Sequence, residues 1–156
     1  DPLYANHPVV HITERQATKY ANWVGSRLPT EAEWEKACRG TDGRTYSWGN
    51  QAPNTQLLNY ARSNKLDTMP VGSYPPGANG LYDMAGNVEE GTYSLYKDYP
   101  YKAYDGREDS KAESARTVRG GSFNYDEHVV RCAARRSSGP NYAFADVGFR
   151  VVSEGF

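Results

Sequence analysis

The side chains able to do covalent or recognition chemistry fall into three groups. The first is a pair of cysteines, Cys38 and Cys132, the only thiols in the 156 residues. A thiolate can serve as nucleophile or soft metal ligand, and a buried thiol as a small hydrophobe. The second is the histidines, His7, His11 and His128, too scattered for spacing to make a metal site. The third is a recognition chemistry carried by two loops. One holds Asn124, Tyr125, Asp126 and His128; the other holds Ser137, Ser138, Asn141, Tyr142, Phe144 and Asp146. Rigid rings among small adaptable polar residues are what antibody paratopes use. A shallow Tyr-rich face of this kind suits a protein ligand better than a small molecule. A further tyrosine cluster, Tyr93, Tyr96, Tyr99, Tyr101 and Tyr104, precedes these loops.

The elements that must hold these loops are readable at the N-terminal end. Thr13 and Gln16 have capping-box spacing, with Ala17, Tyr20, Ala21 and Val24 at helical intervals and Gly25 as a stop. Thr30 and Glu33 repeat the box, Trp34, Ala37 and Cys38 form an apolar stripe, and Gly40 ends the helix. From Thr41 turn chemistry takes over, at Asp42-Gly43, Pro75-Pro76-Gly77 and Asn79-Gly80, with no long helical period before Arg116. Residues 117–119, 129–133 and 148–152 read as strands. Trp34 and Trp48 are expected as core aromatics. Gly120 and Gly121 are expected at close approaches or positive φ, and Arg150, between Phe149 and Val151, opposite a carboxylate.

The whole is long enough for one domain with a real core. Eighteen basic against 19 acidic residues, without a basic run, give no electrostatic footprint for nucleic acid. No apolar stretch is long enough to span a membrane. The start, Asp1-Pro2-Leu3-Tyr4, has neither the basic nor the apolar run of a signal peptide, and the compartment stays open.

Several strings then point one way. Residues 27–35 read R-L-P-T-E-A-E-W-E, 48–50 W-G-N and 80–88 G-L-Y-D-M-A-G-N-V. R-G-G-S-F follows at 119–123, R-C-A-A-R at 131–135 and V-G-F-R-V-V at 147–152. In that order the chain resembles the formylglycine-generating-enzyme (sulfatase-modifying-factor) family over residues 8–152. The resemblance implies an α+β, C-type-lectin-type fold, loop-rich, with two helices and short antiparallel strands. It also implies a single domain over 1–156 that starts inside the family domain, whose N-terminal strand region is missing or minimal here.

The family's enzymes act through cysteine thiolates just after the G-G-S-F/Y segment. The first of these falls at Tyr125, and no cysteine occurs between Phe123 and Arg131. Asp, His and Tyr cannot replace a thiolate pair in redox chemistry, so no redox cofactor and no family oxidase activity are expected. The resemblance implies that Cys38 and Cys132 are neighbours able to form a disulfide, the alternative being a reduced buried pair. It implies a structural Ca²⁺ held by the carboxylates of Asp83 and Glu90 and the carbonyls of Gly86 and Val88, with a second site using Asn59 and Asp67. Where the family has Trp-Glu-Trp, this chain has Glu89-Glu90-Gly91.

The two loops also resemble the diversified segment of the variable proteins of diversity-generating retroelements. Those proteins share the lectin-type fold and randomise adenine-rich codons. Substituting adenines in an Asn-type codon gives Tyr, Asp, His, Ser, Gly, Ala or Phe, all present here. The expectation is therefore a non-catalytic ligand-binding module, plausible as such a variable protein. The alternatives are a formylglycine-generating-type oxidase and a structural or sensor domain of a larger protein.

Overall fold

The computed structural model describes residues 2–153. Both capping boxes form. Thr13 Oγ1 accepts the Gln16 N–H at 3.3 Å while Gln16 Oε1 accepts the Thr13 N–H at 2.8 Å. Thr30 and Glu33 do the same at 3.2 and 2.8 Å. These start α1 (Glu14–Trp23) and α2 (Glu31–Arg39). Gly25 at φ +70° and Gly40 at φ +63° turn the chain out of each helix into a region that side chains resist. The buried face of α1 is narrower than its periodicity suggests. Ala17 and Ala21 are buried with Leu28, whereas Tyr20 and Val24 are exposed and Trp23 more so.

The sheet is built from β1 (Glu89–Leu95), β2 (Arg116–Arg119), β3 (Arg136–Ser138) and β4 (Val147–Phe149), in the order β3-β2-β1-β4. β1/β2 and β2/β3 are antiparallel as expected, but β4 lies parallel to β1, so the sheet is mixed. The expected strand over 129–133 does not form; those residues are turns and bends. Their backbone is satisfied differently. Buried Arg119 donates from Nη1 to the carbonyls of Cys132 and Ala134, both at 3.0 Å, and Cys132 N–H reaches Thr45 O at 2.9 Å. A side chain has replaced the ladder.

Cys38 and Cys132 form a disulfide with Cα atoms 5.6 Å apart, tying α2 to this turn. Around it pack Trp34 and Met84. A second cluster, Tyr46, Leu58, Tyr60, Ala85 and Val130, carries the half-buried Trp48 stacked on Tyr46. The core also contains a charge. Glu31, fully buried, receives Arg135 at 2.5 and 2.7 Å and Arg119 at 2.9 Å. A carboxylate so far from water is tolerated because several donors compensate it.

Candidate functional site

The two recognition loops meet at the end of the sheet where β1 begins. Ser122 Oγ and Asn124 Nδ2 both donate to Asp146 Oδ2, at 2.8 and 3.2 Å, so Asp146 braces one loop against the other. Tyr125 lies between them, its ring 4.1 Å from the guanidinium of Arg136 on β3 and its carbonyl accepting Ala61 N–H at 3.0 Å. Tyr125 is thus held at both ends.

The remaining residues of the first loop sit further along. Asp126 Oδ1 accepts the His128 N–H at 2.9 Å, an Asx-type turn that leaves both side chains exposed. In the second loop Ser137 and Ser138 are strand residues of the sheet edge, opposite Thr117 and Arg116. Beyond them Tyr142 and Phe144 stack at 5.5 Å and remain 63 % and 44 % exposed, with Asn141 exposed beside them. Gly139 makes this possible, since a Cβ there would come within 2.7 Å of the Tyr142 ring. Exposed aromatic and small polar groups thus stand on both loops, which Tyr125 ties to β3 and Asp146 to each other.

Beside Arg136 and Asp146 lies a residue that composition and spacing do not single out. Glu89, at the head of β1, is 3 % exposed, and burial pushes its carboxyl up to about 7, with Arg136 opposing and Asp146 adding to the rise. Its nearest cation is Arg136 Nη1 at 3.7 Å. The only sequence signal was its standing where the resembled family has tryptophan.

The tyrosine cluster that precedes the loops packs on arginines. Tyr96 and Tyr99 pack on the Arg135 guanidinium at 4.7 and 4.4 Å, and Tyr101 on Arg107 at 4.2 Å. These rings cover the arginines that neutralise Glu31 and Asp105. Only Tyr104 is fully exposed among them.

The expected cation ligands can be tested against their surroundings. Asp83, Val88 and Glu90 line one cleft of about 500 Å³ with Arg150, whereas Gly86, at φ +73°, is not part of its lining. A Cβ on Gly86 would lie 2.3 Å from Asn59 O. Glu90 Oε2 accepts from Trp34 Nε1 and Arg150 Nε, and Oε1 from Arg150 Nη2, all at 2.5 Å. This is the carboxylate expected opposite Arg150. Asp83 Oδ2 accepts Gly72 N–H at 2.7 Å, and burial, ahead of every other cause, raises its carboxyl. Oε1 of Glu90 and Oδ1 of Asp83 keep lone pairs, but Arg150 reduces the net charge of the trio to one negative. The set fits a weakly held cation. At the second set, Asn59 is 1 % exposed, its Nδ2 donates to Asp67 O at 2.8 Å, and its Oδ1 is buried without a partner. An orphaned amide oxygen is a fitting hard ligand.

Among the described residues no helix is long and apolar enough to cross a membrane. A family model for the sulfatase-modifying factor enzyme 1-like domain matches residues 2–155. The formylglycine-generating enzyme of Streptomyces coelicolor is 39 % identical over 168 residues, covering 96 % of this chain and 53 % of that protein. Serine/threonine-protein kinase pkn1 of Chlamydia caviae is 42 % identical over 163 residues, 97 % of this chain and 25 % of its own length. The chain thus spans about half or less of these relatives. In structure it resembles Treponema denticola variable protein 1, with a TM-score of 0.70 and 30 % identity over 81 % of this chain and 46 % of that one.

Proposed function

The chain belongs to the sulfatase-modifying factor enzyme 1-like family, and from that premise we propose that it is a non-catalytic member, a module that binds a protein ligand through its two loops. The observation that carries this reading is the fate of the thiols. Both cysteines are joined in the Cys38–Cys132 disulfide, and Tyr125, pinned by Arg136, is the residue at which the resemblance puts the family's first reactive thiol. A disulfide sulfur within the core can neither bind a soft metal ion as thiolate nor cycle as a nucleophile.

The contact surface of this module is the strip formed by Asn124, Tyr125, Asp126, His128, Ser137, Ser138, Asn141, Tyr142 and Phe144, with Asp146 positioning its two halves. The likeness to Treponema denticola variable protein 1 supports a display role, as does the adenine-type residue set of the loops. A Ca²⁺ ion on Asp83, Gly86, Val88 and Glu90, and another on Asn59 beside Asp67, would brace the loop beneath the start of β1 and take no part in recognition.

The deciding experiment is a turnover assay. The protein is incubated with oxygen, a soft metal ion and a cysteine-containing sulfatase peptide, and formylglycine is sought by mass spectrometry. No aldehyde above a protein-free blank is the expected result; multiple turnovers would overturn the reading in favour of an oxidase.

A further inference from the structure

Resting on the binding reading, we infer that Glu89 and Arg136 form a recognition point for a primary carboxamide, the side chain of an asparagine or glutamine on the protein partner. Gly91, Val118 and Arg136 lie in one row across β1, β2 and β3, because Gly91 pairs with Val118 and Val118 with Arg136. Glu89, two residues before Gly91, shares their face of the sheet. Gly91 contributes no side chain to that row, and a Cβ there would meet nothing nearer than Gly148 O at 3.7 Å.

Across this bare position the acid and the guanidinium face each other without bonding. Arg136 Nη1 lies 3.7 Å from Glu89 Oε2, beyond hydrogen-bond length, and is buried with no acceptor. The Glu89 side chain is 4 % exposed, against 41 % for Arg136, and that Arg136 nitrogen is the cation facing the Glu89 carboxylate. The neighbours are already committed. Tyr125 stacks on the guanidinium, and Asp146 accepts from Ser122 and Asn124. A buried donor without an acceptor is costly, and beside it stands a carboxylate that keeps a sliver of exposure; one group bearing an acceptor and a donor on the same edge serves both.

Charge and shape choose that group. A carboxylate would satisfy Arg136 but meet Glu89 and Asp146; an ammonium would satisfy Glu89 but meet Arg136. A main-chain amide is neutral, yet its trans geometry points C=O and N–H in opposite directions. Only a primary carboxamide among these is neutral and places an N–H beside its own C=O. Its oxygen accepts from Arg136 Nη1 while its nitrogen donates to Glu89.

The test uses four small probes, acetamide, N-methylacetamide, acetate and methylammonium, titrated into isotopically labelled protein. The readouts are the Glu89 Cδ and Arg136 Nε resonances. Near pH 8 acetamide shifts both saturably, and the other three bind at least about tenfold more weakly, one missing hydrogen bond to a charged group accounting for that factor. Glu89→Met, and independently Arg136→Met, abolish the acetamide shift in variants whose spectra remain dispersed. Equal binding of acetate or N-methylacetamide, persistence of the shift in Glu89→Met, or no saturable shift in the wild type would each overturn the inference. Those failures leave the loop-binding reading standing, because formylglycine turnover, not fragment binding, is what sinks it.

Discussion

The guanidinium of Arg136 lies 4.1 Å from the centre of the Tyr125 ring. Strand β3 therefore fixes Tyr125, and this contact helps couple the two loops. Replacing Tyr125 by alanine removes a cation–π contact at a partly exposed site. The expected cost is about 0.5–1 kcal/mol, read by urea denaturation. An unchanged midpoint would mean that the loops are held together by the Asp146 bonds alone.

Glu89 predicts a pH dependence of stability with a definite sign. Its folded-state carboxyl is raised to about 7 from an ordinary value of 4.5. Between those values the folded protein holds the proton more often than the unfolded chain. Stability contributed by the protonated acid is thus complete below about pH 4.5 and is lost as pH rises through 7, with a magnitude of up to about 3 kcal/mol. Denaturation curves at pH 5 and 8 should differ in this direction, and Glu89→Gln should flatten the difference. A wild-type protein more stable at pH 8 through this window, with Glu89→Gln sharing the slope, would assign the effect elsewhere.

The disulfide closes a long loop, its cysteines being 94 residues apart in sequence. In the chain-entropy description the cross-link contributes about 4–5 kcal/mol by restricting the unfolded chain. The Cys38→Ala/Cys132→Ala double variant should lose stability of that order. Loss of less than about 1 kcal/mol would show that core packing around Trp34 and Met84 suffices.

Calcium is expected to stabilise without being required for folding, given the single net negative charge of Asp83, Glu90 and Arg150. At ten times its dissociation constant a native-state ligand adds about 1.4 kcal/mol, which raises Tm by a few degrees. Asp83→Asn and Asn59→Ala should each reduce the rise on adding millimolar CaCl₂, while MgCl₂ should have little effect because Mg²⁺ demands a tighter octahedral shell. An identical Tm with CaCl₂ and with a chelator would remove the ion from the account.

How much of this was legible in the sequence differs by element. Both helices could be read to within a residue, because capping and stop signals are local. The matching family, the α+β class, and the opposition of Arg150 to a carboxylate were legible in the motif strings. The strands were less so. β1 begins Glu89-Glu90-Gly91, a poor strand opening in which Glu90 is bonded by Arg150 and Trp34 while Glu89 faces Arg136 at 3.7 Å. It shows no alternation because it is largely covered on both faces. β3, Arg136-Ser137-Ser138, has the composition of a loop and is a strand only through its pairing with β2. Residues 129–133 have the composition of a strand and are turns because Arg119 and the disulfide take over their backbone and side chains. The unbonded approach of Glu89 and Arg136 depends on a register that no local pattern carries.

The measurement that bears most directly on the central claim is the nucleotide sequence around this gene, read from several independent isolates. A display module of the variable-protein kind predicts a reverse transcriptase nearby and a near copy of the segment encoding residues 119–150. It also predicts adenine-directed differences concentrated in the codons for Asn124, Tyr125, Asp126, His128, Asn141, Tyr142 and Phe144, with Glu89 and Cys38 invariant. An isolated gene, with no such copy and the same loop codons in every isolate, would contradict a diversified display surface.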